Sequence, residues 1–180
     1  RLVPTAAGTY RESVSRCEGV AIVSKPVVFV SDLGLRDEFV GVCHAVIARI
    51  SSGSAVIDIS HGIAPPDVQP GGLVLAESLR FAPADAVGLA VIDPGVGTDR
   101  LAIAVETGSG RQLVGPDNGV LSLAWRADGG PRRAVSIIEV FRRLASRGVE
   151  IRLLHAGTPG APPLHGLERA LPGDLTIRRC

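Results

Sequence analysis

Aromatic side chains are scarce in this 180-residue chain, with one Trp, one Tyr and four Phe making up 3% of it. That is too few to build the stacking platform that single-stranded nucleic acid requires. Net charge is scarce too: 19 Lys and Arg against 18 Asp and Glu leave +1. With no basic face or charge run, neither nucleic acid nor an anionic membrane surface is an expected partner. The three cysteines, Cys17, Cys43 and Cys180, are odd in number and widely spaced, which fits reduced thiols rather than a disulfide frame or a zinc site. His44, His61, His155 and His165 form no H-x-x-x-H pair and the cysteines no C-x-x-C, so no metal is expected. Cys180 lacks a prenylation box and is given no function. Long apolar runs are missing as well, because Lys25, Arg49 and Asp58 interrupt them short of membrane-spanning length. No charged-then-apolar leader opens the chain, no internal repeat recurs, and no G-x-G-x-x-G dinucleotide fingerprint follows the first strand. A cytoplasmic protein is expected.

What is present is apolar content sufficient for a core, 46% of residues at a mean hydropathy of +0.30, most simply in one domain with at most a fragment of a second. Residues 1–25 carry no sustained period and begin without Met, and they are set aside as an extension or a mis-assigned start. From Pro26 the pattern predicts a strand over 27–31, a helix over 37–50, a strand over 55–59, a helix over 68–80 and a strand over 87–92. Such alternation predicts an α/β fold with right-handed crossovers, in which a mostly parallel sheet is sandwiched by helices. Strands over 101–106 and 112–114 follow, joined by a Gly-containing hairpin over 107–111. PDNG at 116–119 reads as a turn leading into a short helix over 120–125. ADGGPRR at 127–133 breaks the pattern, before a helix over 136–146 and a strand over 149–154. The Gly- and Pro-rich stretch beyond His155 reads as irregular. The expected organisation is therefore an extension over 1–25, a catalytic α/β domain over 26–155 and a tail over 156–180.

VIDPGVGTDR, 91–100, carries the chemistry. Asp93 falls where the apolar strand stops, Pro94, Gly95 and Gly97 forbid helix and force a turn, and Arg100 stands one loop away. Asp32 in FVSDLG and Asp58 in AVIDISHGIAPP are read likewise as strand-end aspartates. A single one would be explained as the cap of the next helix. Three at equivalent positions point instead to the carboxyl edge of a parallel sheet lining a ligand crevice.

The succession SDLGLRDEFVG, VIDISHGIAPPDV, VIDPGVGTDR and GPDNGVLS, spanning roughly residues 26–125, resembles the S-adenosyl-L-methionine (SAM) hydroxide adenosyltransferase family, relatives of the SAM-dependent fluorinases and chlorinases. The resemblance implies an α/β N-terminal domain followed by a small β-barrel domain, which this chain is expected to lack. It implies attack of water on C5′ of SAM, giving adenosine and methionine, with SAM as substrate and no cofactor. The sulfonium leaves as a neutral thioether and needs no general acid, but water, with a pKa of about 15.7, is a poor nucleophile and has to be oriented and partly deprotonated.

By the same resemblance Asp93 accepts the water proton, Arg100 fixes the carboxylate and keeps it ionised, and His155 is the third catalytic residue. Asp32 matches the aspartate that holds the ribose hydroxyls. Pro66 and Val96 match substrate-contacting positions, where both would line an apolar wall. Asn118 in PDNG matches a position near the site, with a structural role as the favoured reading. Asp58 and His61 are assigned to loop architecture, and Cys43 and His44 to the surroundings of their helix. The halide-using relatives carry Tyr where Asp93 stands; an anionic nucleophile needs no base and is repelled by a carboxylate, so Asp93 favours water over halide.

The family's histidine motif, F-H-G-R-D, is matched here only by His155. Loss of one base from codons for H-G-R-D yields the His155–Ala156–Gly157–Thr158 that stands in the chain, so a frameshift or truncation is expected. Family members place the substrate between the N-terminal domain of one subunit and the barrel of its neighbour in a homotrimer, which sets the expected assembly. The competing expectations are halide-dependent cleavage of the same substrate and a catalytically inactive nucleoside-binding remnant.

Overall fold

The computed structural model describes residues 2–4, 10–12, 24–145, 153–155 and 177–179. In chain order the elements are β1 (Leu2–Pro4), β2 (Tyr10–Glu12), β3 (Val27–Ser31), α1 (Phe39–Ile50), β4 (Val56–Ser60), α2 (Val68–Leu79), β5 (Val87–Val91), β6 (Ala102–Thr107), β7 (Gln112–Pro116), α3 (Ser122–Ala127), β8 (Pro131–Ser136), α4 (Ile137–Ala145), β9 (Leu153–His155) and β10 (Ile177–Arg179). Six strands form one sheet in the order β4-β3-β5-β7-β6-β8. The first four are mutually parallel. β6 runs against both β7 and β8, so it is the one reversed strand.

The predicted elements between Pro26 and α4 are present, most within two residues at either end. β8 is the exception, standing where ADGGPRR was read as a break. Gly129 and Gly130 take positive φ values of 85° and 80°, turning the chain back after α3. Pro131, which cannot donate to a ladder, then opens an edge strand, a position where its missing N–H costs nothing. Its first four residues are exposed, so no apolar alternation announced it. Of the strand expected over 149–154, residues 149–152 lie outside the described residues. The remaining Leu153–His155 pairs in parallel with β10, which lies within the stretch read as irregular. β1 and β2 form a separate antiparallel pair.

Alternation along the strands decides which face is packed. Val28 and Val30 of β3, Ala90 of β5, Leu113 of β7 and Val105 of β6 are buried together with Leu75, Ala76 and Leu79 of α2 and Ala124 of α3. On the opposite face Phe29 is buried, but its in-register neighbour Leu89 and the Val114 paired to that are only half-buried. α1, apolar around most of its circumference, buries Val40 alone and leaves Phe39, Val42 and Ile50 exposed. No helix among the described residues is long and apolar enough to cross a membrane.

α2 lies close against the turn that follows β7, because Gly72 has no side chain to hold them apart. A Cβ at Gly72 would stand 2.7 Å from the carbonyl oxygen of Val120, a backbone atom that cannot swing away. Gly72→Ala is expected to cost about 1–3 kcal/mol through overpacking. Gly62→Ala, with open space around its Cβ, is expected to be neutral or slightly stabilising through the unfolded chain. Denaturant midpoints of the two variants check this; equal midpoints would contradict the close approach.

Candidate active site

Parallel strands deliver the loops at their carboxyl ends to one edge of the sheet, where α/β folds bind ligands. The loops after β3, β4, β5 and β7 meet there, and β6, entering from the same edge, brings Arg100 with it. Backbone and side-chain hydrogen bonds tie these loops together. Asp32 N–H donates to Val91 O at 3.2 Å and Gly34 N–H to His61 O at 2.7 Å, linking the loop after β3 to β5 and to the loop after β4. Asn118 Nδ2 donates to Ile92 O at 2.8 Å, while its Oδ1 accepts from Val120 N–H at 3.1 Å. Both ends of the Asn118 amide are thereby engaged with backbone, bracing the β7 turn against the end of β5.

Asp93 sits two residues beyond β5, at the bottom of the turn made by Pro94–Gly97. Its Oδ1 is ion-paired with the Arg100 guanidinium, Nε lying 2.9 Å away, and accepts from Gly95 N–H at 2.9 Å. Among the described residues Oδ2 takes no hydrogen bond, so this carboxylate is fixed by one oxygen and open at the other. A Cβ at Gly95 would stand 2.5 Å from Arg100 Nη2, so a side chain there would push the guanidinium off its present position beside Asp93. Arg100 Nη1 reaches Asp117 O at 3.4 Å, so one guanidinium spans the loops after β5 and β7. Thr98 stiffens the intervening turn by donating to Gly95 O at 2.7 Å.

The structure places the other sequence candidates as follows. Asp32 is half-buried directly after β3, on the same edge as Asp93. Pro66 is exposed in the loop between β4 and α2, and Val96 stands 83% exposed at the tip of the Asp93 turn. His155 ends β9, which is bonded to β10 rather than to the six-stranded sheet; its side chain lies outside the described residues.

Asp58 departs from the expectation of three strand-end aspartates. β4 continues to Ser60, so Asp58 lies inside the strand with Phe29 as its register partner. Its Oδ1 meets His44 Nε2 at 2.9 Å and His61 Nε2 at 3.0 Å. Partial burial alone would raise its pKa, but hydrogen bonds from His44 and His61 together with their charge outweigh that and hold the carboxyl below its ordinary range. His44 thus reaches β4 instead of facing only its own helix. On the far side of the ring His61 Nδ1 lies 2.7 Å from Ser31 Oγ. Ser31, fully buried, was not singled out from the sequence; a small hydroxyl ending an apolar strand gives no signal until the fold sets a histidine beside it. Burial pushes the Cys43 thiol up, away from the reactive thiolate form. Among the described residues no three His, Cys, Asp or Glu side chains could hold a metal ion together.

Residues 27–152 match the family model for the SAM hydroxide adenosyltransferase N-terminal domain. Among curated proteins, the (R)-S-adenosyl-L-methionine hydrolase of Salinispora tropica is 51% identical over 111 residues, covering 62% of this chain and 42% of that protein. The enzyme of the same name from Thermus thermophilus is 49% identical over 111 residues, covering 61% and 42%. An uncharacterized conserved protein of Thermotoga maritima, solved by crystallography, superposes with a TM-score of 0.59 at 39% identity over 66% of this chain and 44% of that one. The chain spans about two-fifths of the length of the curated relatives it matches.

The bonding at Asp58 sets a pH response. With its folded pKa below the ordinary value of 3.8, its contribution to stability is complete above that value and is lost as pH falls through the lowered one. Asp58→Asn is therefore expected to flatten the fall in thermal midpoint below about pH 4. An acid limb of unchanged steepness in the variant would contradict the pairing with His44 and His61.

Proposed function

The chain belongs to the SAM hydroxide adenosyltransferase family through its N-terminal domain, and on that footing we propose that it is the water-activating part of an enzyme that hydrolyses SAM to adenosine and L-methionine. The observation that carries this reading is the open oxygen of a carboxylate whose other oxygen is clamped by Arg100 and Gly95. Such a group can accept a hydrogen bond from a water at Oδ2 while the guanidinium fixes its direction. That arrangement positions a weak nucleophile for in-line attack on C5′ and supplies a base as the O–H bond weakens. The departing sulfur becomes a neutral thioether, so the leaving group needs no proton. A bound halide would instead face the carboxylate's negative charge, which makes water the fitting nucleophile.

In this reading Asp32 accepts the two ribose hydroxyls with its two oxygens, Pro66 and Val96 line the apolar wall, and Asn118 positions the turn behind Asp93. His155 is assigned the third catalytic role from the family resemblance. No cofactor is required, since SAM is the substrate and the reaction transfers neither electrons nor phosphoryl groups. The protein is cytoplasmic and works as a homotrimer. The exposed Phe39, Val42 and Ile50 of α1, with Leu35 before it and Ile59 on the edge strand β4, support a self-associating apolar surface.

The test is turnover of SAM in oxygen-labelled water. Label is expected in the 5′ hydroxyl of adenosine, with kcat lowered about 10²–10⁴-fold by Asp93→Asn, which keeps the shape but removes the base. Arg100→Lys is expected to lower kcat/KM as well, because an ammonium cannot replace the planar fork that spans Asp93 and Asp117. Unlabelled product, turnover that appears only with added halide, or full activity in Asp93→Asn would each contradict the assignment.

A further inference from the structure

The loop after β3, which carries Asp32, has little packing of its own. Leu35 is 76% exposed, residues 36–38 are exposed, and Gly34 takes a φ of 76° with open space around it. Its start is anchored to the body by few contacts, and all but the Asp32–Val91 bond converge on one residue. His61 O accepts from Gly34 N–H at 2.7 Å. His61 Nδ1 meets Ser31 Oγ at 2.7 Å, and that same Oγ accepts from Leu33 N–H at 3.3 Å. The His61 ring also stands edge-on to Phe29, with centroids 4.7 Å apart at 66°. A buried histidine thus grips residues on both sides of Asp32 without touching it.

Donors and acceptors fix the direction of this chain. The Asp58 carboxylate can only accept, so His61 Nε2 carries the proton and donates to Oδ1. Where Nε2 carries the ring's one proton, Nδ1 is the acceptor and Ser31 O–H donates to it, leaving a lone pair of Oγ for Leu33 N–H. Asp58 in turn is held by His44 from α1, and its lowered pKa keeps it in the accepting form at neutral pH. Each link constrains the next, from helix α1 through β4 to the end of β3.

We propose that His61 is a positioning residue of the binding edge, which through its Nδ1 contact with Ser31 fixes the β3 turn and so sets where the Asp32 carboxylate stands. This rests on the reading of Asp32 as the ribose-binding group. The Ser31 contact is the operative one, while the Asp58 contact serves to orient the ring.

Two substitutions separate those contacts. His61→Asn places a carbonyl oxygen where Nδ1 stood and can still accept from Ser31, whereas His61→Gln extends an amide donor toward Asp58 and loses the Ser31 contact. Adenosine binding is measured by calorimetry on the full chain for the wild type, His61→Asn, His61→Gln and His61→Ala, together with amide hydrogen exchange at Leu33 and Gly34. Val28 and Val30 serve as core references for that exchange. His61→Ala and His61→Gln are expected to bind adenosine about tenfold more weakly or worse, with faster exchange at Leu33 and Gly34 and unchanged exchange in the core. His61→Asn is expected to restore most of the affinity. Wild-type affinity in His61→Ala, or losses that follow core exchange equally in all three variants, would overturn the positioning role. If the wild type binds no adenosine, the ribose reading fails instead. Exchange at Leu33 and Gly34 then decides the role of His61 by itself, with unchanged rates in His61→Ala overturning it and accelerated rates supporting it.

Discussion

The in-register pairing of β3 with β5 is the constraint on which the site depends. Val27 faces Val87 and the pairing continues without a shift to Ser31 and Val91, so both strands end level and Asp32 and Asp93 leave the sheet at one edge. The burial of Val28, Val30 and Ala90 under α2 fixes that register, because a slip of one residue would turn every one of these side chains to the other face. Gly88 permits it locally, since a Cβ there would stand 2.8 Å from Leu113 Cδ2. The apolar core beneath α2 therefore determines the spacing of two carboxylates that take no part in it.

Asp93 and Asp58 illustrate how environment divides labour among identical groups. Asp93 is held at one oxygen by a permanent cation and a backbone N–H, which leaves it directed and able to accept at the other oxygen. Asp58 has the same chemistry but receives two imidazoles at one oxygen and lies inside a strand, so it serves as a junction between α1, β4 and the buried histidine. The first arrangement suits work on a water; the second suits the transmission of position. Both close apolar runs in the sequence, and the extra two residues of β4 are what place Asp58 inside its strand while Asp93 stands beyond the end of β5.

Much of the fold was legible because its strands are short apolar runs bounded by Gly, Pro and Asp, and its helices lie between them with compatible lengths. β8 was hidden by physics of a different kind. An exposed edge strand needs neither alternation nor a central-strand composition, and its Pro131 argued against strand. In the site, Asp32, Asp93, Arg100 and Asn118 were legible since each adjoins a turn whose glycines or prolines fix the local backbone. Ser31 and His44 were not, because their significance lies in contacts across 30 and 14 residues of sequence that no local pattern encodes. His61 stands in a recognisable motif that by itself points only to loop architecture; the structure shows it as the buried centre of a hydrogen-bonded chain.

If the level ends of β3 and β5 form a single nucleoside site, Asp32 stands at the ribose and Asp93 at C5′. A crystal structure of the chain bound to adenosine tests this most directly. The 2′ and 3′ hydroxyls are expected within hydrogen-bonding distance of the Asp32 carboxylate, with the 5′ hydroxyl facing Asp93 Oδ2. Adenosine bound away from this edge, or with its ribose reversed so that the 5′ hydroxyl points from Asp93, would contradict it.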